Sequence, residues 1–294
     1  MAELKEMSWS WKGQEVVIGV DDAGGGRLLL LLPALSSIST RAEMHPLMER
    51  LQSRFRVVAL DWPGFGTAPR PGLRWTPDAL SAFLDHAIEV LGAQAEGIIA
   101  AGHAASYLLY HAAHHPRAAK RIVLLAPTWR GPLPTMMGGD RPFFEKVRRM
   151  IELPVVGPLL YRLNVSSFVI RHMVVGHVYS DPAWFSGERL REKRRVVEAK
   201  GARFASAGFV TGGLDRVSGR AAFLDLAQCA GVPILQVYGR ETPRRSLAEM
   251  EALAELPCVR TVRLGRGKLS VYEEFPDDIA SAILPFLEEP PPRG

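Results

Sequence analysis

The sequence predicts an α/β fold: a mostly parallel central sheet with helices on both faces and an inserted helical region. Two observations predict it. Short unbroken apolar runs alternate with segments of helical periodicity in residues 1–131 and again in 226–294. That is the pattern of strands buried on both faces and joined by crossover helices. Between them, residues 132–225 read as helical, with no strand-like run.

Taken in order, Glu15 to Val20 reads as a strand, Asp21 to Gly26 as a turn, and Arg27 to Leu32 as a continuous apolar strand ended by Pro33. Thr40 to Leu51 has helical spacing in Met44, Leu47, Met48 and Leu51. Arg56 to Leu60 is the next strand, stopped by Asp61-Trp62-Pro63-Gly64. Pro77 to Leu91 is helical, with Leu80, Phe83, Leu84, Ala87 and Leu91 on one face and Gly92 just past its end. Gly97 to Ala101 reads as a strand, Ala104 to His115 as a helix terminated by Pro116, and Arg121 to Leu125 as a strand closed by Pro127. The pattern resumes with Val232 to Tyr238 (strand), Ser246 to Leu256 (helix), Val259 to Leu264 (strand) and Asp277 to Leu287 (helix). The proline-rich end, Pro290 to Arg293, is expected to fray.

Composition narrows the function classes. With 47% hydrophobic and 23% charged residues over 294 positions, the chain has ordinary globular usage, which excludes disorder over most of its length. The longest leucine run, Leu28 to Leu32, is far short of the ~20 apolar residues of a membrane-spanning helix. Met1 to Met7 carries no apolar signal core, so a cytoplasmic protein is expected. Two cysteines, Cys229 and Cys258, cannot build a disulfide framework and read as small buried hydrophobes. The net charge of +5 is mild, and without zinc-finger spacing or an RNA-binding aromatic signature no nucleic-acid partner is expected. The charge is uneven: residues 141–203 hold 13 basic and 6 acidic side chains, against 23 and 25 elsewhere. This is a solvated basic face, or a surface that attracts an anionic ligand or membrane. Aromatics of the helical region 132–225 include Phe143, Phe144, Tyr161, Phe168, Trp184 and Phe209.

Several separate segments carry a resemblance. Gly97-Ile98-Ile99-Ala100-Ala101-Gly102-His103-Ala104-Ala105-Ser106 runs strand, sharp turn, helix; Val57-Val58-Ala59-Leu60-Asp61-Trp62-Pro63-Gly64-Phe65-Gly66 precedes it as strand and turn. Downstream stand Pro233 to Gly239, then Gly265-Arg266-Gly267-Lys268-Leu269-Ser270 and Glu273-Glu274-Phe275-Pro276. In order and spacing these resemble the α/β-hydrolase superfamily over about residues 13–130 and 220–288. The resemblance implies a hydrolase core of residues 1–131 and 226–294, with 132–225 in the place of that family's cap.

The family's chemistry needs a serine at the apex of G-x-S-x-G, a histidine that takes its proton, and an acid that orients the histidine. Carried onto this chain, the apex is Ala104, the acid position Thr242 and the histidine position Lys268. The glycine two residues beyond the apex is Ser106, and the His-Gly pair of the oxyanion loop is Leu32-Pro33. A lone Ser→Ala exchange would leave the acid and the histidine in place; here neither remains, and no histidine follows His177 to restore the base. Glu241 stands one residue before the acid position and is a substitute for it.

What remains is binding machinery. The resemblance places Ala34, Leu35, Ser36, His103, Ala104, Ala105 and Lys268 around one point, with the Ala105 N–H at a helix N-terminus and the Lys268 ammonium as an anion site. His103 reads as a side chain packed under the elbow. His111 and His115 have i,i+4 spacing, but no glutamate follows His111 and Pro116 ends the helix, so they read as helix-end residues; no metal site and no cofactor are expected. Two readings stay open: a protein that binds a small, largely apolar ligand with an anionic end without hydrolysing it, and a lyase, isomerase or unusual hydrolase working through Lys268 and Glu241. Weak contact with an anionic membrane through the basic region is a third expectation.

Overall fold

A computed structural model describes residues 6–68, 70–92, 94–116 and 119–290, with backbone only at 164, 167 and 168. Most of Met1 to Met7, most of the proline-rich end and the Phe168 side chain therefore lie outside the described residues.

The described residues form one eight-stranded sheet in the order β1-β2-β4-β3-β5-β6-β7-β8. The strands are β1 (Glu6–Trp11), β2 (Gln14–Gly24), β3 (Leu28–Leu32), β4 (Arg56–Leu60), β5 (Gly97–Ala101), β6 (Ile122–Leu125), β7 (Ile234–Gly239) and β8 (Val259–Leu264). From β4 through β8 every neighbouring pair is parallel, while β1 on β2 and β2 on β4 are antiparallel.

The apolar runs are explained by burial on two faces. Leu28, Leu30 and Leu32 of β3 join one core with Val58, Leu60, Ile98 and Ala100. Leu29 and Leu31 join the other with Val57, Ala59, Ile99 and Ala101. A strand that alternates between two apolar layers has no polar positions to spare, and each buried leucine contributes roughly 1.5–3 kcal/mol.

Helices cover both layers. A 3₁₀ turn at Arg41–Met44, capped by the Thr40 hydroxyl, leads into α1 (His45–Leu51). Helix α2 (Pro77–Leu91) starts at a Thr76 cap and stops at Gly92, which takes a left-handed φ of 69°. Helix α3 (Ala104–His114) follows β5.

Between β6 and β7 the chain is helical: α4 (Pro132–Met137), α5 (Pro142–Glu152), α6 (Val156–Asn164), α7 (Ser167–His177), α8 (Gly187–Glu198), α9 (Ala202–Val210) and α10 (Arg220–Cys229). Helix α10 spans the expected boundary at 225/226; it packs on α3, with Phe223 and Ala227 in the sheet's own core. Helices α11 (Arg244–Ala254), α12 (Val271–Glu274) and α13 (Pro276–Glu288) complete the chain.

The N-terminal segment adds a strand not read from the sequence, β1, whose Met7 and Trp9 are buried. Two local expectations are corrected. Asp21 to Gly24 continue β2 rather than turning, because they pair antiparallel with Arg56 to Ala59 and Asp22 binds Arg56 at 2.6 Å. Cys229 and Cys258 are exposed free thiols: one ends α10 and the other lies in the loop before β8.

Candidate functional site

The chain turns from β5 into α3 at Gly102, which has φ +51°. A Cβ there would meet the Ala34 Cβ at 3.2 Å, so the loop after β3 lies close against the elbow. His103 already has helical torsions, φ −69° and ψ −20°. Ala104 is fully buried at the head of α3, and the only non-glycine residues with positive φ among those described are Lys12 and Ala126. Ala104 thus carries no left-handed torsion; the one in this turn falls on Gly102.

Two N–H groups at this point are engaged. Ala105 N–H donates to Gly102 O at 3.2 Å, where the sequence led us to expect a free donor. Ser106 N–H and hydroxyl both donate to His103 O, at 3.3 and 3.0 Å. Leu35 is buried, while Ala34 and Ser36 are partly covered.

Thr242 and Lys268 stand on adjoining loops after β7 and β8. A Cβ at Gly239 would strike the backbone of Gly267, and Glu241 N–H donates to Gly267 O at 3.1 Å. Thr242 is buried, its hydroxyl donating to Gly239 O at 2.8 Å. The half-buried Lys268 donates from Nζ to Val175 O at 2.7 Å, in the last turn of α7. Glu241 is exposed, and among the described residues no ion pair joins it to Lys268. The residues expected at one point are therefore divided between the elbow and a contact with the helical insert.

His103 reaches that insert too. Its Nε2 lies 3.1 Å from Leu214 O and 3.4 Å from Asp215 Oδ1, and its ring meets Phe209 edge-on. Burial lowers the imidazole to about 4, so it is neutral near pH 7; Nε2 carries the hydrogen donated to Leu214, and Nδ1 has no partner among the described residues. Tyr107 donates to the same carbonyl at 2.6 Å. Burial pushes the Asp215 carboxyl up to about 8, against the Gly131 N–H it accepts at 2.9 Å.

Two further clusters escaped sequence reasoning. Lys193 of α8 is buried between Glu43, which it binds, and Glu273 at 3.4 Å; Tyr272 donates to Glu43 at 2.9 Å and Tyr179 to Glu273 at 2.6 Å. Asp85 Oδ1 lies 2.5 Å from His111 Nδ1 and 3.7 Å from His115 Nε2. These three are the described residues whose donor atoms converge, within 4.8 Å, as metal ligands must. Asp85 comes from α2, which is why spacing along α3 did not reveal it.

A cavity of about 300 Å³ opens beyond the carboxyl ends of β6 and β7, beside the elbow rather than at it. Arg130, Arg220 and Arg245 line it, with Glu249 as the acid. Arg220 holds Glu249 through two bonds of 2.9 Å, and Trp129 Nε1 donates to the same carboxylate at 3.0 Å. Burial works to raise that carboxyl, and these partners outweigh it and hold it low. Arg130 stacks on Trp129 at 4.3 Å, and Arg245 caps α4 through the Thr135 and Met136 carbonyls. Helix α11 begins here with Arg244 and Arg245 in its first turn, no acid and no side-chain cap. Cations at the positive end of a helix are unfavourable unless an anion lies nearby.

A model of the alpha/beta hydrolase family matches residues 29–282. The chain belongs to the alpha/beta hydrolase family. Solved structures of the same fold include a probable hydrolytic enzyme from Pseudomonas aeruginosa (18% identity, TM-score 0.73, covering 97% of this chain and 94% of that one). A thermophilic esterase from Thermogutta terrifontis, with malate bound, is similar at 20% identity and TM-score 0.73, covering 98% of each chain. An enol-lactonase from Burkholderia xenovorans is similar at 17% identity and TM-score 0.72, covering 96% of this chain and all (100%) of that one. At these identities the likeness is one of fold. No curated protein matches this chain. Among the described residues, no helix of this hydrolase-family chain is long and apolar enough to cross a membrane.

Proposed function

We propose that this member of the alpha/beta hydrolase family binds a small, largely apolar molecule with an anionic end and does not hydrolyse it. One observation carries the reading: every side chain at a triad-equivalent position is committed to the fold. Residue 104 offers a buried methyl group, the Thr242 hydroxyl is held by Gly239 O, and the Lys268 ammonium by Val175 O. A tetrahedral oxyanion at this elbow would also find the Ala105 N–H already bonded to Gly102 O. Chemistry through Lys268 and Glu241 would first require the lysine to leave α7 and lose its proton, with Glu241 out in solvent.

The anionic end is supported by the arginine-lined cavity. Three arginines line it against one carboxylate, which Arg220 binds, and the N-terminus of α11 adds a partial positive charge. Ligands of open α/β sheets lie in this position, outside the carboxyl ends of the strands.

The test combines turnover and binding on the purified chain. With p-nitrophenyl acetate, butyrate and octanoate the expected rate is that of buffer. Titration with pyrophosphate is expected to change tryptophan fluorescence saturably, since Trp129 stands in the cavity wall, and Arg130→Ala with Arg245→Ala should weaken binding about tenfold or more. Ester turnover that follows the protein through purification would overturn the reading.

A further inference from the structure

The corner between α5 and α6 leaves apolar side chains in water that the fold does not use. Val155 is 83% exposed, Leu163 64% and Leu159 63%, with Leu153, Met150 and Val156 between 44% and 48%. On α6, Val156, Leu159 and Leu163 follow one another at helical spacing and form one stripe. The inner side of the helix is already satisfied: Tyr161, with the partly buried Leu160 beside the stripe, packs with Ile151, Ala202 and Ala207. A single exposed leucine is ordinary, but a continuous apolar ridge marks a surface that meets something else.

Charge says what it meets. From Leu153 to Ser180 the sequence contains no aspartate or glutamate. The acids on the adjoining α5 are neutralised: Glu145 by Arg74 at 2.5 Å and Arg149 at 2.8 Å, and Glu152 by Arg148 at 2.8 Å and Arg74 at 3.4 Å. Lys146, Arg162 and Arg171 are exposed and have no acidic partner among the described residues. An apolar ridge flanked by unpaired cations is complementary to an anionic lipid surface: acyl chains below, phosphates at the level of the arginines. Helix α6, nine residues from Val156 to Asn164, is far too short to span a bilayer, so it would lie in the interface.

We propose that the α5–α6 corner docks this protein onto anionic membranes, with Val155, Leu159 and Leu163 entering the headgroup–acyl boundary and Lys146, Arg162 and Arg171 contacting lipid phosphates. The proposal is independent of whether the elbow hydrolyses anything.

The experiment is flotation of the full chain with vesicles of phosphatidylcholine alone and of phosphatidylcholine with 30% phosphatidylglycerol. Binding is expected to the anionic vesicles, to weaken at high salt, and to be slight on neutral ones. Leu159→Glu with Leu163→Glu should lower the partition about tenfold or more, and Arg162→Ala and Arg171→Ala about fivefold each. These side chains are exposed, so unchanged thermal melting serves as the folding control. No binding of the unaltered chain to anionic vesicles, or equal binding by the Leu159→Glu/Leu163→Glu chain, would overturn the proposal. So would a dimer in solution that these substitutions dissolve without any effect on flotation, since a second copy would then be the occupant.

Discussion

Lys268 donates its ammonium proton to the carbonyl of Val175 at 2.7 Å and so caps the end of α7. The same loop gives Ser270 N–H to Val178 O at 3.0 Å and Leu269 N–H to His177 O at 3.5 Å. The loop after β8 thus clasps the end of α7, where a cation is favoured by the helix dipole. Lys268→Met should cost about 1–2 kcal/mol. Hydrogen exchange should quicken at residues 175–181, and unaltered exchange there would show that the clasp holds nothing.

Lys193 makes the second tie between the insert and the core, and it is the stronger one. Removing it leaves the buried Glu43 and the half-buried Glu273 without their cation, with Glu43 already raised to about 7 by burial despite Lys193. Lys193→Met should therefore cost about 3–5 kcal/mol in urea unfolding. Adding Glu43→Gln should recover part of that loss, because one stranded carboxyl is removed. Strict additivity would mean that the two side chains do not interact.

Asp215 gives the fold a pH dependence whose sign is fixed. Burial lifts its carboxyl from 3.8 to about 8. Below pH ~4 folded and unfolded chains both hold the proton, and above ~8 neither does. Between these limits only the folded chain holds it, so stability falls as pH rises, by about 1.4 kcal/mol per unit. Asp215→Asn can still accept the Gly131 N–H and should flatten this slope relative to the unaltered chain. Identical slopes, measured by denaturation from pH 5 to 8, would place the charge elsewhere.

Gly102 is the pivot of the elbow. With φ at +51° and Ala34 3.2 Å from a would-be Cβ, Gly102→Ala should destabilise by about 1–2 kcal/mol. Thermal melting checks it; an unchanged midpoint would mean that the turn can be made without left-handed torsions at this residue.

The elements that hold the elbow were legible because their side chains repeat locally. Leu28 to Leu32, Arg56 to Leu60 and Gly97 to Ala101 are apolar at every position facing either core, and Thr76, Gly92 and Pro116 punctuate the helices. Strand β1 was hidden by serines that alternate with Met7 and Trp9, and the end of β2 by aspartates whose neutralisation by Arg56 only the pairing reveals. The identities of Ala104, Thr242 and Lys268 were readable; what their side chains bind was not, since Val175 lies 93 residues from Lys268. Glu43 and Lys193, 150 residues apart, and the cavity arginines, drawn from three separate segments, are products of topology without a local signature.

The most direct test of the central claim, that this scaffold lacks a working nucleophile, is intact-mass analysis of the purified chain after incubation with a fluorophosphonate. This reagent captures activated serine hydroxyls. The account predicts an unchanged mass, with Ser106 silent because its hydroxyl is buried and bonded to His103 O. A stoichiometric adduct on any single hydroxyl, abolished by unfolding, would contradict it.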